Sequence, residues 1–216
     1  MLNTKSKLCQ ELPVIDWVSS SAAVLHNFIN DRNNLIKNAI SGIMICAPLR
    51  RMKTPGGYTM SVSMTNCGEY GWVSDKHGYR YERNDPLTEA PWPDMPEVLM
   101  TLANNAALTA GFPGFSPNVC LINQYKPGAK LSLHQDKDES DLTQPIVSVS
   151  LGVPAIFLFG GLKRKDKSIR ITLLHGDVVV WGREDRLCYH GTLPLKEDYH
   201  PEYGQYRINL TFRKAF

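Results

Sequence analysis

Tyr206-Arg207-Ile208-Asn209-Leu210-Thr211-Phe212-Arg213 alternates strictly, with Tyr206, Ile208, Leu210 and Phe212 on one face of an extended chain and Arg207, Asn209, Thr211 and Arg213 on the other. A period of two sustained over eight residues is a strand and not a helix. Seven further short runs precede it, punctuated by Gly and Pro, over 119–125, 130–136, 146–151, 155–159, 169–174, 177–181 and 187–190. Closely spaced strands with few helical interruptions predict a double-sheet jelly roll. The polar face of the last strand would be wet if it pointed outward. Against that, the run 119–125 repeats the pattern of hydrogen-bonding groups at Asn123 and Tyr125. Arg207 and Arg213 stand roughly 20 Å apart by strand rise. Leaning inward, they suit the two ends of a short dicarboxylate, because a guanidinium pairs with a carboxylate bidentately.

Upstream of 119 the chain reads differently. Asp31 is placed to cap a helix through Leu35, Ile36, Ile40 and Ile43, after a short strand over 22–28. Asp94-Met95-Pro96-Glu97 opens a second helix with an acidic N-cap and Pro in the first turn. Leu99, Leu102, Ala103 and Ala106 form its buried stripe and Gly111 ends it. Between about 50 and 93 the sequence turns to Gly, Pro and aromatic residues, which predicts hairpins and long loops rather than core strands, the composition of a binding lid. The whole is mainly β with flanking helices (α+β), one domain over 1–216, with the lid at about 50–93 and the jelly-roll core at about 119–213.

Composition bounds the partners. The chain is 43% hydrophobic and 21% charged, and no apolar run is long enough to span a bilayer. Two lysines near the amino terminus are not followed by an apolar stretch, so no targeting signal is expected and the protein is placed in the cytoplasm. Five scattered cysteines without a Cys-x-x-Cys pair fit reduced thiols and exclude a structural zinc site of the usual spacing. A formal charge of +3 permits a polyanionic partner without requiring one.

The chemistry concentrates in Leu131-Ser132-Leu133-His134-Gln135-Asp136-Lys137-Asp138-Glu139. On a strand, His134 and Asp136 share a face. An imidazole and a carboxylate so placed make two-thirds of a His/His/carboxylate facial triad, the donor set that suits non-haem Fe(II) with open positions. His190 is the best third ligand, since it ends an apolar strand and is followed by Gly191. His26, His77, His175 and His200 read as structural or solvated.

Taken together, His134-x-Asp136, the distant His190, Asn123-x-Tyr125 and Arg207-x-Asn209-x-x-x-Arg213 resemble the Fe(II)- and 2-oxoglutarate-dependent dioxygenases. More narrowly, Thr54-Pro55-Gly56-Gly57-Tyr58, Met64-Thr65-Asn66-Cys67-Gly68 and Phe159-Gly160-Gly161-Leu162-Lys163-Arg164 are similar to the AlkB family of nucleic-acid demethylases, its bacterial members above all. The match runs from about 54 to 213, and the first fifty residues look little like the family. Arg183 and Cys188 stand where a small and an aromatic residue are expected.

The resemblance implies a double-stranded β-helix (jelly-roll) core under a nucleotide-recognition lid, with His134, Asp136 and His190 as catalytic metal ligands to Fe(II), and 2-oxoglutarate and O₂ as cosubstrates. It implies that Arg207, Tyr125 and Asn209 grip the distal carboxylate of 2-oxoglutarate, while Arg213 and Asn123 serve the end nearer the metal. The implied reaction is oxidative demethylation of 1-methyladenine and 3-methylcytosine in alkylated single-stranded DNA, with double-stranded DNA and RNA as further candidates. Formaldehyde, succinate and CO₂ are released, which reverses alkylation damage directly. Methylation at a ring nitrogen fixes a positive charge and removes pairing, so extruding such a base costs little. Trp72 and Tyr79 are candidates for the aromatic faces around it and Asp138 for the balancing carboxylate, with Arg80, Tyr81 and Arg164 as further contacts to base or backbone. A monomer is expected. The alternatives are an RNA-directed demethylase of the same family and a non-catalytic jelly-roll module that holds a metal or a small acid.

Overall fold

The polar face of the last strand is not wet, because helices cover the opposite face of its sheet. In a computed structural model that describes residues 13–216, the elements in chain order are β1 (Ile15–Trp17), β2 (Ala22–Leu25), α1 (Asn33–Cys46), β3 (Ser63–Gly68), β4 (Gly71–Asp75), β5 (Gly78–Glu82), α2 (Glu97–Thr109), β6 (Val119–Tyr125), β7 (Leu131–His134), β8 (Ile146–Gly152), β9 (Ala155–Phe159), β10 (Ile169–Leu173), β11 (Val178–Trp181), β12 (His190–Thr192) and β13 (Arg207–Arg213). A major sheet runs β1-β2-β11-β8-β13-β6-β3 and a minor sheet β10-β9-β12-β7, while β4 and β5 form a separate hairpin. This is the double-sheet jelly roll with flanking helices. The amino-terminal segment and Cys9 lie outside the described residues.

Ile208, Leu210 and Phe212 of β13 join Val147, Val149 and Leu151 of β8 and the inward stripes of α1 and α2 in one core. Burying each such side chain contributes roughly 1.5–3 kcal/mol, so the apolar half of β13 is committed to the helix side. The period of two then turns Arg207, Asn209, Thr211 and Arg213 into the space between the sheets, where all four are buried. Tyr206 stays outside the strand and is 37% exposed. Facing the polar side, Phe157, Phe159, Leu173 and Trp181 close one end of the interior with a second apolar cluster.

Several local expectations need correction. Asp31 does not cap α1; it sits in a 3₁₀ turn over Asn30–Arg32, and no side chain caps the helix. Leu35 is 60% exposed, so only Ile36, Ile40 and Ile43 form the buried stripe. The second helix starts at Glu97 with Pro96 at its cap rather than Asp94, because Pro96 is held extended (ψ 142°) and delays the helical turn. Leu99, Leu102, Ala103 and Ala106 are buried as expected. The stretch 50–93 is not all hairpin and loop, since β3 pairs with β6 from Ser63↔Gln124 to Gly68↔Val119 as an edge of the major sheet. The strand expected over 187–190 runs instead from His190 to Thr192, after a 3₁₀ turn at Arg183–Asp185.

Candidate metal and cosubstrate site

His190 and His134 are cross-strand partners on β12 and β7, the two strands at one side of the minor sheet. Between His190 and Thr192 the register shifts, and Gly191 permits it, because a Cβ there would lie 2.7 Å from the Leu131 carbonyl oxygen. The two imidazoles stand 4.4 Å apart between ring centroids. Asp136 follows the end of β7 and is not on the strand as expected, yet its carboxylate reaches both rings, 3.6 Å from His134 Nε2 and 3.5 Å from His190 Nε2. One donor atom from each of the three residues falls within a 4.8 Å cluster.

The tautomers fit a metal. His134 Nδ1 lies 2.9 Å from the Ser132 carbonyl and His190 Nδ1 3.0 Å from the Cys188 carbonyl. With Nδ1–H donated to backbone oxygen, each Nε2 carries a lone pair that points into the cluster. Burial and the neighbouring His190 push His134 down to about 4, which keeps it neutral and available as a ligand near neutral pH. Burial opposes ionisation of Asp136, but Arg213, His190 and His134 overcome it and hold the carboxyl well below its usual range. Two imidazoles and one carboxylate suit Fe(II) with positions left for other ligands.

The two arginines of β13 have different surroundings. Arg213 donates through Nη2 to Asp136 at 2.7 Å and through Nη1 to the Tyr81 hydroxyl at 3.1 Å, and its Nε lies 3.5 Å from Glu139. Burial alone would lower its pKa, but Asp136, Tyr81 and Glu139 raise it instead. Arg207 has no acid beside it: it donates to Ser150 Oγ at 3.0 Å, stacks 5.0 Å from the Tyr125 ring, and leaves Nε and Nη1 buried without partners. Burial lowers its pKa. Both arginines line one cavity, Arg213 with its Nη2 on the metal-site carboxylate and Arg207 with donors to spare. Asn123 donates to Asn209 Oδ1 at 3.3 Å and keeps its own Oδ1 unpartnered, while Asn209 is fixed by donating to Ser148 Oγ and the Val149 carbonyl.

A cavity of about 690 Å³ unites these groups with the hairpin β4–β5. Trp72, Tyr79, Asp138 and Arg164 all line it. Trp72 and Tyr79 stack on each other at 5.5 Å with planes 14° apart, so together they form one wall. Trp72 Nε1 donates to Asp138 at 3.1 Å. Arg80 and Tyr81 do not line the cavity. Arg80 is ion-paired with Asp75 and Glu82 on the other face of β5, and Tyr81 is buried with its hydroxyl on Glu139 and Arg213. Arg186 and Glu139 carry no signal of a role in the sequence. Arg186 donates to the Asp136 carbonyl at 2.6 Å and to Glu139 at 3.0 Å, so a buried charge network braces the metal carboxylate from behind. Nothing in the charged run around either residue distinguishes it from solvated neighbours. His26, paired with Asp16 and Asp177, and His175, whose Nδ1 accepts the Gly152 N–H, are structural.

Fold and donor set together define a non-haem iron oxygenase. The family model of the 2OG-Fe(II) oxygenase superfamily matches residues 21–213. The alpha-ketoglutarate-dependent dioxygenase AlkB of Salmonella typhimurium is 55% identical over 205 residues, 95% of each chain, and that of Escherichia coli 56% identical over 199 residues, 92% of each. The mouse nucleic acid dioxygenase ALKBH1 is 32% identical over 119 residues, covering 55% of this chain and 30% of that protein. Among solved structures, OsALKBH1 superposes with a TM-score of 0.79 at 26% identity, covering 93% of this chain and 100% of that one. The chain belongs to the AlkB family of the 2OG-Fe(II) oxygenase superfamily. It is an Fe(II)-dependent dioxygenase with 2-oxoglutarate and O₂ as cosubstrates.

The likeness begins earlier than expected, since the superfamily match starts at residue 21 and the bacterial relatives align over nearly the whole chain. The two departures have local consequences. Arg183 adopts φ 49°, a conformation that favours glycine, and is held there by donating to the Gly111 carbonyl at 2.7 Å and stacking on Phe112. The Cys188 thiol is buried and pushed up to about 11, chiefly by burial, which leaves it unreactive beside His190.

Proposed function

We propose that this dioxygenase removes methyl groups from ring nitrogens of nucleobases, 1-methyladenine and 3-methylcytosine in single-stranded DNA first of all. The observation that carries the reading is one cavity in which the Trp72–Tyr79 wall and the Asp138 carboxylate share space with the His134/Asp136/His190 cluster. An aromatic wall beside an acid suits a flat cation, which is what methylation at a ring nitrogen makes of adenine or cytosine. The mouse relative named as a nucleic acid dioxygenase supports the substrate class.

His134, Asp136 and His190 would hold Fe(II) through two imidazole nitrogens and a carboxylate oxygen. Held there, the metal would supply the oxidising chemistry: 2-oxoglutarate and O₂ would give succinate and CO₂, one oxygen atom would go to the N-methyl carbon, and the resulting hydroxymethyl group would leave as formaldehyde. Arg207, with Tyr125 and Asn209 around it, offers its two free donors to the distal carboxylate of 2-oxoglutarate, and Asn123 serves the end nearer the metal. Arg213 serves that same end with Asn123, and through Nη2 it also orients Asp136 and keeps it ionised. Arg164 contacts the nucleic acid at the cavity edge.

In this reading residues 1–216 form one domain, the segment about 50–93 is the nucleotide-recognition lid, and about 119–213 is the catalytic core. Four free cysteines among the described residues fit a cytoplasmic enzyme that works as a monomer, and no helix among those residues is long and apolar enough to cross a membrane. The test is mass spectrometry of 1-methyladenine and 3-methylcytosine oligonucleotides, DNA and RNA, incubated with protein, Fe(II), 2-oxoglutarate and O₂. Loss of the methyl mass from DNA with release of formaldehyde is expected. Succinate production with no change in any oligonucleotide would refute the substrate class, and turnover confined to RNA would replace DNA in the reading.

A further inference from the structure

The turn between β9 and β10 holds the whole charge surplus of the chain. Lys163-Arg164-Lys165-Asp166-Lys167 carries four cations and one acid, a net +3, and the formal charge of all 216 residues is also +3, so the remainder sums to zero. The single acid is spent on the turn itself: Asp166 accepts the Lys163 backbone N–H at 2.9 Å, and the Asp166 N–H returns to the Lys163 carbonyl at 2.9 Å. All four cationic side chains are exposed, and none belongs to an ion pair among the described residues.

The turn is also fixed to the active site. Gly160 N–H donates to the Tyr189 carbonyl and Tyr189 N–H to the Gly161 carbonyl, at 2.8 and 2.9 Å, so the base of the turn is stitched to the residue beside His190. Arg164 stacks 5.2 Å from the Tyr189 ring, and both line the cavity. An unpaired cationic edge that begins at the cavity lining and leads away from it suits a polyanion continuous with whatever enters the cavity.

We propose that the Lys163–Lys167 turn is a phosphate-binding edge for the nucleic-acid backbone that flanks the base held in the cavity, an inference that rests on the demethylase reading above. The edge makes long single strands better substrates than short ones, through sequence-independent and salt-sensitive binding. Phosphate contacts of this kind set affinity and register without reading bases.

The test compares the wild type with a Lys163→Gln/Lys165→Gln/Lys167→Gln variant, binding an unmethylated single strand across a salt series by fluorescence anisotropy. Each neutralised cation removes about 0.7 from the slope of log K against log salt on single strands, so the variant's slope is expected to be shallower by roughly 2. Its advantage deficit against wild type then shrinks by roughly twentyfold between about 50 and about 200 mM salt. Lys165→Gln alone is expected to show about a third of that change. Turnover of a methylated trinucleotide, which offers the turn few phosphates, is expected to fall less than turnover of a long strand. An unchanged slope overturns the proposal, as does loss of binding to phosphatidylglycerol vesicles with binding to the strand intact. If wild type fails to demethylate the trinucleotide, the demethylase reading falls by itself, since the binding slope is measured without turnover.

Discussion

Replacing Arg207 with Met separates the cost of keeping a guanidinium buried from its use in binding. In the free protein Arg207 is 2% exposed, with Nε and Nη1 unpartnered. Each orphaned buried donor costs about 1–3 kcal/mol, or roughly 4 for the pair at mid-range. Against this stand one charge-assisted bond to Ser150, about 2 kcal/mol, and stacking on Tyr125, about 1 kcal/mol. The balance lies near zero, so the Met variant is expected to unfold within about 1 kcal/mol of wild type, a shift within about 4 °C for a chain of this size. Truncating a well-packed core side chain would cost about 2–5 kcal/mol. The difference emerges with cosubstrate: at a hundred times its Kd, a ligand stabilises by about 2.7 kcal/mol, or roughly 5–11 °C. Thermal unfolding with Mn(II) in place of iron, with and without 2-oxoglutarate, reads both quantities. Wild type should show the ligand shift and the variant none. A variant that loses more than about 2 kcal/mol when free, or that keeps the 2-oxoglutarate shift, would refute the assignment of Arg207 as the free carboxylate anchor.

Asp138→Asn should leave 2-oxoglutarate binding unchanged and lower kcat/KM for 3-methylcytosine by roughly ten- to hundredfold, the value of a charge-assisted contact of about 1.5–3 kcal/mol; equal losses on a neutral adduct such as 1-methylguanine would remove the ionic role. Glu139→Gln strips the acid from between Arg186 and Arg213 and should destabilise the protein by about 3–5 kcal/mol, measured by urea unfolding; a change under about 1 kcal/mol would mean that the buried network braces nothing. His134 sits at about 4 in the folded chain against about 6.5 when unfolded, so the native state binds fewer protons and its contribution to stability is complete above pH 6.5. That contribution is lost as pH falls from about 6.5 toward about 4, and His134→Asn should flatten the urea midpoint of the metal-free protein across that window; an unaltered pH profile would contradict the depressed pKa.

The strands were legible because alternation survives burial. β13, β6 and β9 lie within a residue of their sequence-read limits, and the polar face of β13 is buried between the sheets. The metal cluster was legible for the same reason, since His134, Asp136 and His190 are chemically distinctive at their spacing. What could not be read depends on partners distant in sequence. Nothing local tells that Arg213 is neutralised by Asp136, 77 positions away, while Arg207 on the same strand is not. Glu139 and Arg186 look like solvated charges and are buried on each other. The helix starts were not legible because capping preferences are weak beside tertiary fit.

The hairpin β4–β5 is tied to the body of the protein along most of its length. Asn66 accepts the Trp72 N–H at 3.0 Å and donates to its carbonyl at 3.1 Å, Trp92 donates to the Glu82 carbonyl at 3.0 Å, and Tyr81 is locked onto Glu139 and Arg213. Toward the turn, Ser74, the register partner of Tyr79, donates to the Lys53 carbonyl at 2.7 Å, and Tyr79 itself is 48% exposed. The hairpin is thus a wall with anchors in the lid and in the metal site at once. Lifting its Tyr81 end would strip hydrogen bonds from Arg213 and so from the carboxylate of the metal cluster.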